Sequence, residues 1–213
     1  MKPLTGIFTN IMAALGLALL PKTSRVQSCK TNSNEKKNDE KRKSKILIVF
    51  FSHTGENYAV GNIEVGNTKM VADYIRDVTD GDEFEVVRET PYPKTYKEVV
   101  EVAKKERYGK EYPPFKGKVN NIDDYDVVFL GGPVWIYSYP QVMFTFMKQY
   151  DLSNKTMIPF LTHEGSGMGY AVRDIKEIYP NANILSPEVF YGHEVRTDMS
   201  KVKAWLESLG YKK

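Results

Sequence analysis

KILIVFFSHTGENYAVGNIEVGNT, residues 45–68, is the stretch whose reading decides the fold. Residues 45–51 form an almost unbroken apolar and β-branched run, which suits a strand buried on both faces. The run stops abruptly at Ser52-His53-Thr54-Gly55. After a detour, Gly66-Asn67-Thr68 opens a helical pattern whose stripe is Met70, Val71, Tyr74, Ile75 and Val78. Hydroxyls, glycines and free N–H groups between a buried strand and a helix N-terminus are a way to hold a phosphate, because the helix dipole favours an anion there. No lysine stands in the loop, so it is not a Walker P-loop, and it suits one terminal phosphate held mainly by neutral donors. The plainer reading is an ordinary helix cap by Asn67 or Thr68.

Working outward, apolar runs alternate with amphipathic patterns. Strands are expected at 45–51, 82–88, 127–131, 156–161 and 183–191, the last interrupted near Pro187. Helices are expected at 67–77, 96–108, 140–150, 170–179 and 198–209, with Pro140 suited to a first turn and Gly210 to a stop. Such alternation predicts an α/β fold, a doubly wound five-stranded parallel sheet with helices on both faces. Ligands of such sheets sit beyond the carboxyl ends of the strands. Three loops therefore matter, those after the first, third and fourth strands.

The second of them is Gly131-Gly132-Pro133-Val134-Trp135-Ile136-Tyr137-Ser138-Tyr139-Pro140, in which Trp135 and Tyr137 offer a stacking surface for a planar ring. The third is Thr162-His163-Glu164-Gly165-Ser166-Gly167-Met168-Gly169, whose alternate glycines leave backbone groups able to bond the edge of a heterocycle. Each alone has a structural explanation: a core tryptophan after a tight turn, or a flexible connection. Their coincidence on one edge of the sheet favours a common ligand.

Composition narrows the function. Residues 1–44 hold nine Lys and Arg against three Asp and Glu, so the remainder is mildly acidic, 21 against 24. The basic character lies in the tail, and no basic stripe interleaved with aromatics argues for nucleic acid. The single Cys29 excludes an intramolecular disulfide and a multi-cysteine metal site. His53, His163 and His193 lie far apart, which disfavours a protein-ligated catalytic metal. Residues 1–28 read as a signal peptide: Lys2 precedes IFTNIMAALGLALL, which is short for a membrane span, needing about 20 apolar residues. Val26-Gln27-Ser28-Cys29 resembles a degenerate lipobox, making Cys29 a lipidation candidate and the protein periplasmic or anchored to a membrane. A cleaved soluble protein, or a cytoplasmic one with an uncleaved tail, are the alternatives. Residues 29–44 form a flexible polar linker with no apolar side chain after Cys29, and residues 45–213 the folded domain.

From residue 45 to about 209 the chain resembles the flavodoxin-like proteins that bind FMN. The matching motifs are Ser52-x-Thr54-Gly55, Gly66-Asn67-Thr68, Gly131-Gly132-Pro133-Val134-Trp135 and Pro159-Phe160-x-Thr162-His163-x-Gly165-Ser166-Gly167. The resemblance implies strand order 2-1-3-4-5. It places the FMN phosphate in loop one, with Ser52, His53, Thr54, Gly55, Asn67 and Thr68. The isoalloxazine falls between loops two and three, with Pro133, Val134, Trp135, Tyr137, Thr162, His163, Gly165, Ser166 and Gly167. Two departures stand out. Residues 56–65 split a phosphate loop that is continuous in standard flavodoxins, so Gly55 and Gly66 compete for one role. Many relatives carry a second Trp where this chain has Ile136. The implied function is electron transfer with protein partners or a small-molecule donor or acceptor. The alternative is an NAD(P)H- or quinone-dependent FMN oxidoreductase, its substrate pocket supplied by the insertion at 56–65 or by residues 103–118. A receiver-type signalling module is excluded, since no carboxylate follows the first strand.

Overall fold

The structure, a computed structural model, describes residues 44–212. The expectations for the signal peptide at 1–28, for Cys29 and for all but the last residue of the linker at 29–44 lie outside the described residues. In chain order the elements are β1 (Ile46–Phe50), β2 (Gly55–Asn57), β3 (Gly61–Ile63), α1 (Asn67–Thr79), β4 (Asp82–Glu85), β5 (Val87–Arg88), α2 (Tyr96–Gly109), β6 (Phe115–Lys116), a 3-10 turn (Ile122–Asp124), β7 (Val127–Pro133), α3 (Gln141–Gln149), β8 (Thr156–His163), α4 (Ala171–Ile178), β9 (Asn183–Ile184), β10 (Glu188–Tyr191), α5 (Gly192–Val195) and α6 (Ser200–Ser208).

The central sheet runs β4-β1-β7-β8-β10, and every pairing in it is parallel. With each predicted strand counted once, the order is 2-1-3-4-5. The sheet differs from a five-stranded one in a single respect. The last predicted strand is split, and both pieces lie beside β8: β9 on Thr156 and Met157, β10 on Phe160 to His163. The break falls at Ser186, whose φ of 41° is left-handed, and at Pro187, which has no N–H for the ladder. The second predicted strand divides as well. Val86 N–H still donates to Phe50 O at 2.7 Å, but β5 then leaves the sheet to pair antiparallel with β6.

The apolar runs are explained by burial on both faces. Along β1, Leu47 and Val49 join a core with Val128, Leu130, Met157, Leu161 and the inner face of α3. Ile46, Ile48 and Phe50 join the opposite core with Phe129, Ile158, Phe160, α1 and α6. Alternate side chains thus enter different layers, and a polar residue in the middle of β1 would meet an apolar core whichever way it pointed. Gly131, in the buried part of β7, leaves no room for a side chain, since a Cβ there would overlap the Phe160 ring. All three candidate loops leave the carboxyl edge of this sheet.

Candidate functional site

Loop one is closed by contact between its two halves. Lys69 N–H, in the first turn of α1, donates to Ser52 Oγ at 3.0 Å. Gly66 is the N-cap, with an ordinary φ of −70° and no side chain to cap the helix. It must be glycine for space: a Cβ would overlap Ser52 Oγ and lie 2.5 Å from His53 O. The helix is therefore capped from across the gap by Ser52, not by Asn67 or Thr68. Gly55 does something else. Its φ of 106° turns the chain into the β2–β3 hairpin, and a Cβ would lie 2.8 Å from Lys94 O. The two glycines do not compete.

The inserted hairpin is fastened to α2. Glu56 N–H donates to Lys94 O at 2.7 Å, and Glu56 Oε2 accepts from Tyr96 N–H at 2.8 Å, capping α2 from another segment. Lys94 Nζ donates to Thr54 Oγ1 at 2.6 Å, which sets a cation on loop one that its sequence lacks. The Thr68 hydroxyl is shared with Thr162, Oγ1 to Oγ1 at 2.8 Å, so it ties loop one to loop three. His53 is 8% exposed and its Nε2 is buried without a partner. Burial, aided by the nearby Lys94 charge, pushes its pKa down to about 4, so the ring is neutral at pH 7.

In loop two, Trp135 and Ser138 exchange backbone hydrogen bonds of 2.8 and 3.1 Å, closing a tight turn whose central residues, Ile136 and Tyr137, have φ of 47° and 66°. A β-branched residue at positive φ is a strained choice, worth about 1–3 kcal/mol. What holds it is a polar knot. The Asp174 carboxylate, buried under α4, accepts from Ser138 Oγ at 2.7 Å, from Arg107 of α2 at 2.6 Å and from Arg173 at 2.8 Å. Burial works to raise the Asp174 pKa, but the hydrogen bonds from Ser138, Arg173 and Arg107 overcome it and leave it lowered. Trp135 stands at the centre of an aromatic cluster, edge-on to Phe51, His53 and Tyr92 with ring centroids 5.3, 5.5 and 5.0 Å away.

In loop three, His163 is fixed in one tautomer. Gly165 and Gly167 N–H both donate to its Nδ1, at 2.9 and 3.1 Å, so in the neutral ring the proton sits on Nε2. Burial lowers its pKa, with the Lys201 and His193 charges adding to the effect and Glu164 opposing it. Loop three is braced by the segment after β10. Glu164 Oε2 meets His193 Nδ1 at 2.6 Å and Oε1 accepts His193 N–H at 2.8 Å. Arg196 reaches from there to loop one, donating to Asn67 Oδ1 and Val65 O, both at 3.0 Å.

The three loops enclose a cavity of about 320 Å³, near the lower end of the roughly 300–1,000 Å³ of small-molecule sites. Of the residues expected from sequence, His53, Asn67, Thr68, Pro133, Val134, Trp135, Thr162, His163 and Ser166 line it. Ser52 and Thr54 instead line an adjoining cavity of about 180 Å³, which His53 also borders and Lys94 closes. Gly55, Gly165, Gly167 and Tyr137 border neither. The glycines act through the backbone, and Tyr137 is 61% exposed, its ring against Tyr170. A further wall comes from Glu56, Asn57 and Tyr58 of the hairpin, within the insertion expected to supply a pocket, and from α2, where Ala103 lies in the second expected region and Tyr96, Val99 and Val100 were missed. The signal for that wall was present, since 96, 99, 100 and 103 stand at helical i, i+3, i+4, i+7 spacing.

This donor set fits a ligand with a phosphate at one end and a planar ring at the other. The first N–H groups of α1 have no intrahelical acceptors, His53, whose buried Nε2 has no partner, lines the cavity, and Trp135 with an apolar flank of Val134, Ile136 and Val99 lies beyond. Known proteins agree. The flavodoxin family model matches residues 45–209. A crystal structure of a protein classed as a flavoprotein from Bacteroides eggerthii is 30% identical, with a TM-score of 0.63 over 79% of this chain and 99% of that one. A second such protein, from Bacteroides uniformis, is 24% identical over 77% and 98%, TM-score 0.64. A Lactobacillus acidophilus flavoprotein solved in complex with FMN is 23% identical over 76% and 98%, TM-score 0.57, and shares the fold. No curated protein matches the sequence. With the family match running through all the strands of the sheet and all three loops, the chain belongs to the flavodoxin family.

Proposed function

We propose that the chain binds FMN across the three loops and acts as an electron-transfer protein, exchanging electrons with a redox partner protein or a small-molecule donor or acceptor. The observation that carries this reading is the continuity of the cavity from the N-terminus of α1 to Trp135. Asn67 and Thr68 would hold the phosphate, Ser52 fixing the N-terminus of α1 through Lys69 N–H, and Trp135 with the segment from Thr162 to Ser166 would hold the ring. FMN supplies the redox chemistry when bound. The chain positions it, keeps water away with Val134, Ile136 and Val99, and presents a neutral His163 whose Nε2 keeps its proton. The test is direct: the purified chain, mixed with FMN and passed through a desalting column, is expected to leave yellow with about one FMN per chain. A colourless protein after excess FMN would overturn the reading.

One observation favours the second reading, an FMN oxidoreductase with a small-molecule acceptor. The hairpin and α2 add a wall that a carrier with an exposed ring edge has no use for. Rapid NAD(P)H-dependent quinone turnover by the isolated protein would decide for it. We also propose that the chain is exported and anchored through acylated Cys29, a reading supported by the apolar run at residues 7–20 and the Ser28-Cys29 pair. Radiolabelled palmitate should enter the wild type and not Cys29→Ser; equal labelling, or none in either, would refute it.

A further inference from the structure

The wall supplied by the hairpin ends in two tyrosines that the loops of the site do not account for. Tyr58 is 62% exposed and Tyr96 42%, yet both line the cavity. Their ring centroids are 5.9 Å apart and the planes differ by 35°, so the rings touch and leave no slot between them. They form one continuous aromatic platform at the mouth. The platform is held in place. Glu56 N–H is bonded to Lys94 O and the Glu56 carboxylate caps α2 at Tyr96 itself, so the hairpin that carries Tyr58 is laced to the start of α2. Two large aromatic faces left open to water and fixed by a cross-segment cap have no packing role, since neither belongs to either apolar core.

Two more observations define what such a platform takes. Among the described residues no Lys or Arg lines this cavity, and its two carboxylates, Glu56 and Glu164, are committed to Tyr96 N–H and to His193. A ligand bringing phosphates or carboxylates would find no cation on this wall. The hydroxyls of Tyr58 and Tyr96 have no protein partner among the described residues, and a phenol O–H donates readily to a carbonyl oxygen. We propose that Tyr58 and Tyr96 form a second-ligand subsite beside the flavin, for a planar, uncharged ring bearing carbonyl oxygens, the quinone class. This rests on the FMN reading above and names the small-molecule partner for it. Stacking on the platform supplies affinity, and the two hydroxyls select carbonyl-bearing rings over plain aromatics.

The experiment uses the full chain loaded with FMN and titrated with menadione, a naphthoquinone, by isothermal calorimetry. Saturable binding is expected. In Tyr58→Ala/Tyr96→Ala the menadione dissociation constant should rise about tenfold or more, while the FMN dissociation constant moves less than about twofold. Tyr58→Phe/Tyr96→Phe keeps the platform and should lose only about threefold. Cyclohexane-1,4-dione, which has the carbonyls without the aromatic ring, should bind more weakly than menadione. Three results would overturn the proposal: no saturable heat with menadione, unchanged menadione affinity in the double alanine variant, or a rise in the FMN dissociation constant in its place, which would make the platform a cover for the flavin. Failure of the FMN reading itself is seen earlier and separately, as absence of FMN uptake before any quinone is added, and the proposal falls with it. Both tyrosines are surface-exposed, and a thermal unfolding curve for each variant confirms that it is folded.

Discussion

Gly66→Ala tests how the split phosphate loop is closed. The new methyl would overlap Ser52 Oγ and lie 2.5 Å from His53 O, and the second of these is backbone that cannot rotate away. The loop must therefore part by several tenths of an ångström. Overpacking of this kind costs about 1–3 kcal/mol, and loss of the 3.0 Å hydrogen bond from Lys69 N–H to Ser52 Oγ about 1 kcal/mol more. Against this, alanine restricts the unfolded chain and returns about 0.4–1 kcal/mol, its φ of −70° being acceptable. The net loss is about 1–3.6 kcal/mol, and with a urea slope of about 2 kcal/mol/M the unfolding midpoint should fall by about 0.5–1.8 M. Ser52→Ala alone should cost about 1 kcal/mol. The double variant should be less unstable than the two losses added, because removing Oγ relieves one of the two overlaps. A midpoint for Gly66→Ala within about 0.2 M of wild type, or strict additivity with Ser52→Ala, would refute this account of the loop. FMN affinity should fall in parallel, since the same movement displaces the first turn of α1.

Asp174→Asn should lower stability by about 3 kcal/mol, because it leaves Arg107 without its buried counter-charge. The same change frees the strained turn at Ile136 and Tyr137, so loosened backbone exchange at Trp135 to Ser138, read by hydrogen–deuterium exchange, should accompany it; unaltered exchange there would show that the knot does not hold the turn. The Glu164 bond raises the His193 pKa, so this contact favours the folded state fully below about pH 6.5 and fades as pH rises through the folded pKa. The gap in melting temperature between wild type and His193→Gln should therefore narrow from pH 6 to pH 8.5, and a widening gap would contradict it. His53 has the opposite sign: its pKa is depressed to about 4, so its contribution is lost as pH falls from about 6.5 toward that value. An NMR titration should find His53 still neutral at pH 5, and a midpoint above about 6 would mean that the ring is not buried as described.

Much of this arrangement was legible in the chain because its signals are local. The run ILIVF has nowhere to go but a strand covered on both sides, and the Gly131-Gly132-Pro133 and Thr162-His163 segments sit directly after such strands. Order along the sheet was implied by the family resemblance, since crossover handedness alone leaves several topologies open. What escaped depends on contacts between distant segments. Nothing near Glu56 announces that its carboxylate caps a helix 40 residues later. Tyr137 looked like a ring-flanking residue beside Trp135, but the left-handed turn sends it outward, and turn type is set by Ser138 meeting Asp174, 36 residues away. The i, i+3, i+4, i+7 stripe of α2 reads as ordinary core packing until the hairpin is seen to leave part of it facing a cavity. The split of the last strand was visible only as Pro187; that both halves would pair with β8 was not.

The brace formed by Arg196 has a meaning in time. It joins loop one across 129 residues to Asn67 and 131 to Val65. A chain emerging from the ribosome exposes Val65 and Asn67 early, but the guanidinium that pins them, and the His193 that pins Glu164, follow only after β10. Until then the first turn of α1 and the glycine-rich loop lack their fastening, and contacts of such separation are slow to close. The fastening of the site thus cannot precede the last strand of the sheet. A nascent chain halted after β8 would lack both braces of the cofactor's place, and firm capture of the ligand waits for the segment that carries His193 and Arg196.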